Sequence, residues 1–298
     1  MKITALLPWF GGKRTLAPRI VAELGPHSYY FEVCAGSAAV LFAKPPSHHE
    51  TICDLHGGMT NLAWAVQLEE AAVELFDRCQ RTLYTDDGFQ ASKDWLEANE
   101  AHCAAQPDCA DSPDEDWAYH YFLVSWMGRN GVAGTEGVNY SIATRWTAGG
   151  GSGPLRWRSA VESIPAWCER LRNVHVLRRD MFDVLPKIED AGGVAIYCDP
   201  PYFDAGDRYK HFFRDGDHER LAAELRRFKR ARVVVSYYAH PQLQKLYPGW
   251  TLIDAARPKH LAAQNRRGAV RATAPEVLLL NGPSLAATTC PLSLLEAE

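Results

Sequence analysis

AIYCDPPYFD, residues 195–204, is the stretch from which the fold can be read. An apolar run ends on Asp199, two prolines follow, then Tyr202. Proline cannot donate to a β-ladder, so a strand must stop at Pro200. A buried strand is an expensive place for an unpaired carboxylate. Asp199 is therefore expected to receive hydrogen bonds, and an amino group is a suitable donor. The Pro200 carbonyl offers a second acceptor. The two prolines, Pro200 and Pro201, hold both acceptors still, which lowers the ordering cost of binding. Tyr202 offers a flat face for stacking. A rigid turn capped by an aromatic ring is the structural alternative.

Outward from this stretch, three more runs are rich in β-branched and aromatic residues: YYFEVC (29–34), TICD (51–54) and ARVVVSYY (231–238). Helical spacing of apolar residues marks TLAPRIVAEL (15–24), NLAWAVQLEEAAVELFDRCQ (61–80) and DHERLAAELRRFKR (217–230). Strands alternating with helices predict an α/β sheet with crossover helices. EVLLLNG (276–282) is expected to close that sheet as an antiparallel edge strand. The middle of the chain differs. It is rich in Trp, Gly and charge, with an acidic, turn-rich stretch at 106–117, a buried helix expected over WAYHYFLVSWMG (117–128), and a flexible TAGGGSGP at 147–154. The division expected is a catalytic domain in two parts, 1–83 and 167–298, with residues 84–166 inserted between them.

Composition narrows the class. The chain has 298 residues and 47% of them are hydrophobic, enough for a sizeable core in one or two domains. A net charge of −4 gives no global pull toward nucleic acid, although only a contacting face need be basic. Eight cysteines are scattered without a CxxC pair, which points to reduced thiols and a cytoplasmic protein. His102, Cys103 and Cys109 have the wrong spacing for zinc, so no metal is expected. Neither a signal peptide nor an apolar stretch of about 20 residues is visible, and no membrane span is expected.

Ligands of open α/β sheets bind beyond the carboxyl ends of the strands, and three features should meet there. FEVCAGSAAVLFA (31–43) breaks a strand at Ala35-Gly36-Ser37, where small residues allow close backbone approach. It is neither a dinucleotide fingerprint nor a phosphate loop. Asp54 closes the next strand, where an acidic residue commonly accepts from ribose hydroxyls, or else caps a helix. The third feature is Asp199-Pro200-Pro201-Tyr202.

These residues, in this order, resemble the Dam-type DNA adenine-N6 methyltransferases, which use S-adenosylmethionine. PWFGGKRTLAPRIV (8–21) resembles the family's donor motif, FEVCAGSAAVLF its first-strand loop, and CDLHGGMTNLAWAV its acidic second-strand motif. RRDMFDVL (178–185) is similar to its Asp-Phe segment, and CDPPYF to its catalytic motif. DHERLAAEL, VVVSYY and APEVLLLNG follow the later helix and strands. Val33-Cys34 and Ala38-Ala39 depart from the usual first loop, which has more glycine. The resemblance implies a Rossmann-like methyltransferase sheet, mostly parallel, with an inserted target-recognition region. It implies that Trp9, Phe10, Gly11, Gly12 and Lys13 line the donor site. It also implies that Phe31, Glu32, Ala35, Gly36 and Ser37 border the methionine part and that Asp54 holds the ribose. Asp180, with Met181 and Phe182, would then meet the donor adenine. Asp199, Pro200, Pro201 and Tyr202 would act on a flipped-out adenine of double-stranded DNA.

For DNA, Arg129, Asn130, Arg145, Arg156 and Arg158 of the inserted region are the candidate contacts, with Arg266 and Arg267 in the acid-free stretch RPKHLAAQNRRGAVR (257–271). Methyl transfer to an RNA adenine, a cytosine N4 or a protein amide, or a degenerate DNA-binding relative, remain rival readings. The recognised sequence and any restriction or phage role are open. Oligomeric state is open too, with a monomer favoured.

Overall fold

The computed structural model describes residues 4–9, 11–105, 113–128, 141–143, 152–203, 213–258 and 273–286. Among these residues nine strands follow in chain order: β1 (Tyr29–Val33), β2 (His49–Asp54), β3 (Val174–Arg178), β4 (Val194–Cys198), β5 (Arg232–Tyr238), β6 (Thr251–Asp254), β7 (Arg257–Pro258), β8 (Thr273–Ala274) and β9 (Glu276–Leu280). Seven of them form one sheet in the order β3-β2-β1-β4-β5-β9-β6, while β7 and β8 pair separately. Strands β1 to β5 are mutually parallel where they pair, and β9 is antiparallel to both of its neighbours, β5 and β6. The antiparallel strand expected at 276–282 is present, one place in from the edge, with β6 outside it.

Both faces of the sheet are covered, which is why its strands read as nearly continuous apolar runs. Tyr30, Ile52, Ala195, Tyr197 and Val234 point into one core, and Val33, Cys53, Ile196, Cys198 and Val235 into the other. The first face carries α1 (Ala17–Leu24), with α2 (Ala39–Ala43) just after β1. On it also lie α3 (Gly57–Gln67), α4 (Glu69–Arg81), α5 (Asp86–Ala98), α6 (Glu100–Ala105), α7 (Glu115–Met127), α8 (Gly153–Val161) and α9 (Ile164–Leu171). The second face carries α10 (Met181–Val184), α11 (Asp217–Arg226) and α12 (Gln242–Leu246).

The periodic segment 61–80 breaks into two helices. Leu68 leaves helical geometry at φ −82°, ψ 119°, between α3 and α4. Gly58 to Val66 are all buried, whereas α4 keeps Glu69, Glu70 and Val73 exposed, so one straight rod could not serve both environments. The apolar stretch at 117–128 is the buried helix α7, with nine buried residues, and its Asp114 cap accepts from the Trp117 N–H. Phe122, Trp126, Trp157 and Trp167 join the core that also holds Ile52 and Leu62, so α5 to α9 share it with the sheet. Among the described residues no helix is long and apolar enough to cross a membrane.

Candidate active site

Register decides where the functional groups meet. Val33 on β1 lies opposite Cys53 of β2 on one side and Cys198 of β4 on the other. The next residue of each strand therefore falls in one row: Asp54, Cys34 and Asp199. This row stands where the strand order reverses, at β1 between β2 and β4, the place where an open α/β sheet leaves a crevice. A cavity of about 460 Å³ opens there, of a size that suits a small ligand.

On one side of the cavity is the β1–α2 loop. Gly36 sits at φ 50°, and a Cβ there would stand 2.7 Å from Trp9 Nε1, so the residue must be glycine for both reasons. Cys34 and Ala38 also take positive φ, 61° and 52°, without being glycines. Asp54 accepts the Gly36 N–H on Oδ2 at 2.7 Å and the His56 N–H on Oδ1 at 2.8 Å. Asp180 caps α10 through the Phe182 N–H at 2.8 Å and still lines the cavity, so capping and pocket-facing positions coincide. Phe182 lies under the Arg220 guanidinium at 4.0 Å, and both border the cavity with Met181. Trp9, Gly12, Ala35, Gly36 and Ser37 line it as well. Phe31 is half-buried in β1 beside it, Gly11 is exposed, and Phe10 lies outside the described residues.

Glu32 is 1% exposed beneath the loop and accepts from the Tyr30 hydroxyl at 2.9 Å and the Leu41 N–H at 2.8 Å. Burial pushes its carboxyl up to about 8, against the lowering effect of those donors. Burial likewise raises the Cys53 thiol to about 12.

The other side belongs to Asp199. Its Oδ1 accepts from the Ser236 hydroxyl at 2.6 Å and the Tyr202 hydroxyl at 3.0 Å. Its Oδ2 pairs with the Lys13 ammonium at 2.7 Å. Since Ser236 has one hydroxyl proton and directs it at Asp199, Tyr197, 3.0 Å away, donates to Ser236 in turn. Lys13 lines the cavity and is buried on Asp199. Tyr202 is not laid open as a stacking floor: it is 5% exposed, packed on Tyr238 at 4.6 Å, with Lys13 Nζ 5.2 Å from its ring centre. Its apolar neighbours and its hydroxyl bond to Asp199 hold it there. Pro200 is buried, and Pro201 lines the cavity.

The arginines predicted to meet DNA separate. Arg156 gives one guanidinium nitrogen to the Trp126 and Gly128 carbonyls, both at 2.6 Å, which ties α8 to the end of α7 and directs that nitrogen inward. Arg158 is exposed and pairs with Glu162 one turn on at 2.9 Å. Arg129, Asn130, Arg145, Arg266 and Arg267 lie outside the described residues. Sequence reading missed His56, Arg179, Phe213, Arg214, Asp217 and Arg220 of the cavity wall, and Ser236 and Glu276 beside Asp199. Only His56 had a visible sign, its place two residues after Asp54.

Among the described residues no group of three metal-ligating side chains is gathered. A carboxylate at a strand end, a second at a helix cap and a glycine pressed on an indole fit an adenosine-bearing donor such as S-adenosylmethionine. The fold and cleft define a Rossmann-like α/β protein built to hold a nucleoside beside a carboxylate. Residues 9–259 match the D12 class N6 adenine-specific DNA methyltransferase family, and the chain belongs to that family. No curated protein matches the chain. Among solved structures, SMU.776 complexed with SAH is similar at 12% identity and TM-score 0.38, over 92% of this chain and 50% of that one. The chain thus spans half the length of that solved chain, and a likeness of this size says nothing about substrate.

Proposed function

We propose that the chain methylates N6 of an adenine flipped out of double-stranded DNA, at a defined sequence, as a cytoplasmic enzyme that needs no metal and acts as a monomer. The observation that supports this reading is the Asp54–Cys34–Asp199 row, which sets two carboxylates on either side of β1. S-adenosylmethionine, when bound, supplies an electrophilic methyl group on a positively charged sulfur.

The protein's part is acceptance and alignment. Asp54 receives the ribose hydroxyls and Asp180 the donor's adenine amino group. Trp9 and the 31–37 loop border the methionine part. The target base has to leave the duplex, because its amino group is otherwise paired and stacked. Its nitrogen is a poor nucleophile while the lone pair is delocalised into the ring. Asp199 and the Pro200 carbonyl accept hydrogen bonds from its two N–H groups, draw density toward nitrogen and turn the lone pair toward the methyl group, and the nitrogen releases one proton to solvent once it is methylated. Fixed alignment supplies much of the rate, and acceptors already in place serve the charge that develops on nitrogen. The region 84–166 serves target recognition, and Arg158 with the arginines outside the described residues grips phosphate.

The test is methyl transfer from labelled donor to random-sequence duplex DNA, single-stranded RNA and protein, with the methylated base identified after digestion. N6-methyladenine in duplex DNA at recurring sites is the expected result. Label in cytosine, RNA or protein would move the assignment to that rival. Absence of donor binding by calorimetry would make the chain a degenerate relative.

A further inference from the structure

Asp199 already holds three donors before any substrate arrives: two hydroxyls on Oδ1 and an ammonium on Oδ2. An incoming amino group would share Oδ2 with an ammonium that draws charge from it, so the carboxylate is a stronger acceptor once that cation shifts away. The shifted cation cannot be stranded, because Lys13 is 4% exposed and a buried ammonium without an acceptor is costly.

Glu276 is the group in reach. It is the first residue of β9, and because β9 runs against β5, its beginning falls beside Tyr238, at the end where the parallel strands finish. Its side chain is 1% exposed. Its Oε1 stands 3.4 Å from Lys13 Nζ and 3.3 Å from the Tyr202 hydroxyl. Both distances exceed those the same two donors keep to Asp199, 2.7 Å and 3.0 Å. Each donor thus sits closer to Asp199 and already makes a longer second contact with Glu276. The ammonium also keeps the Gly11 carbonyl at 2.7 Å, which can anchor it through a small swing.

We propose that Glu276 is the second seat of the Lys13 ammonium and the Tyr202 hydroxyl, taking both over when an amino substrate claims Asp199. Glu276 is then a positioning residue that empties the catalytic carboxylate without leaving a buried cation unpaired. The proposal rests on Asp199 being the acceptor of the target amino group.

The test uses the full chain in two arms. In Glu276→Gln the shape stays and the charge goes. The expected result is a fall of about 10- to 100-fold in kcat/KM for DNA, the span of one charge-assisted hydrogen bond, with donor affinity by calorimetry within about twofold. Unchanged kcat/KM overturns the proposal, and so does an equal loss of donor affinity, which would mark a merely structural role. The second arm is a crystal structure of Asp199→Asn, which needs no activity. Lys13 Nζ is expected within about 3 Å of Glu276. Lys13 remaining on residue 199 overturns the proposal even if Glu276→Gln fails to fold. Failure of the underlying reading looks different: Asp199→Asn would then still methylate DNA.

Discussion

Asp54 and Asp199 close the two strands that flank β1, and they are held by different means. Asp54 takes backbone N–H groups, from Gly36 at 2.7 Å and His56 at 2.8 Å. Asp199 takes side chains from three separate segments: Lys13, Tyr202 and Ser236. Backbone donors cannot be withdrawn without unfolding the loop, and a carboxylate has lone pairs left after two bonds. Asp54 therefore suits a fixed handle for a donor that returns in every cycle. Side-chain donors can be exchanged, which suits the donor hand-over proposed for Asp199.

The largest expected effects separate these two acids. Asp199→Ala should lower methyl transfer by about 10³-fold or more, since it removes an acceptor aimed at developing charge, while calorimetric donor affinity stays near that of the parent. Asp54→Ala should do the reverse. Donor Kd should rise about 10- to 100-fold through lost hydrogen bonds, with turnover largely recovered at saturating donor. If Asp54→Ala loses turnover that no donor concentration restores, the two carboxylates do not divide the work in this way.

How much of this division was readable depended on whether a residue's partners lay close along the chain. Asp199 was legible because two prolines announce the end of a strand, and Asp54 because it closes the next acidic strand. Glu276 was not, since it is one residue ahead of an apolar run, and only the insertion of β9 between β5 and β6 brings it to Asp199. Ser236 was hidden similarly inside VVVSYY. Two strands of the main sheet escaped notice for a local reason: His175 and Arg178 put polar residues into β3, and β6 is only four residues long. Tyr202 was recognised as important from its motif, but its closure beneath Lys13 follows from packing that no local pattern records.

A smaller effect lies beneath the donor loop. Glu32 titrates near 8 in the folded protein because of burial, against an ordinary value of 4.5. Below the unfolded value it is protonated in both states, and its contribution to stability is complete. As pH rises toward 8, the unfolded chain sheds the proton while the folded protein retains it. Stability then falls by up to about 1.4 kcal/mol per pH unit, and the loss is complete above the folded value. Glu32→Gln should flatten this slope in thermal melts between about pH 4.5 and about pH 8, the window set by the two values. Parallel melting curves of parent and variant across that range would show that the buried carboxyl is not protonated.

The smallest effect concerns the strain in the same loop. Ala38 caps α2 at φ 52°, ψ 34°, a left-handed conformation that costs an L-residue about 1–2 kcal/mol. Glycine removes that cost but adds entropy to the unfolded chain. Ala38 is 1% exposed and its methyl group joins the core, so glycine also loses a little packing. The balance favours Ala38→Gly by about 0.5 kcal/mol, the part of the left-handed cost that survives these losses. Cys34, at φ 61°, should gain nothing from the same change, because its Sγ contacts Met181 Sδ at 3.4 Å and glycine would forfeit that packing. Chemical denaturation of the two glycine variants measures the difference. A stabilised Ala38→Gly with unchanged donor affinity would mean that the donor loop keeps its shape through the Gly36 N–H bond to Asp54, with the strain at Ala38 incidental to binding. A variant that is more stable yet binds donor less tightly would mean that the strained backbone is itself part of the donor site, and the fixed side of the cleft would then be less rigid than Asp54 alone suggests.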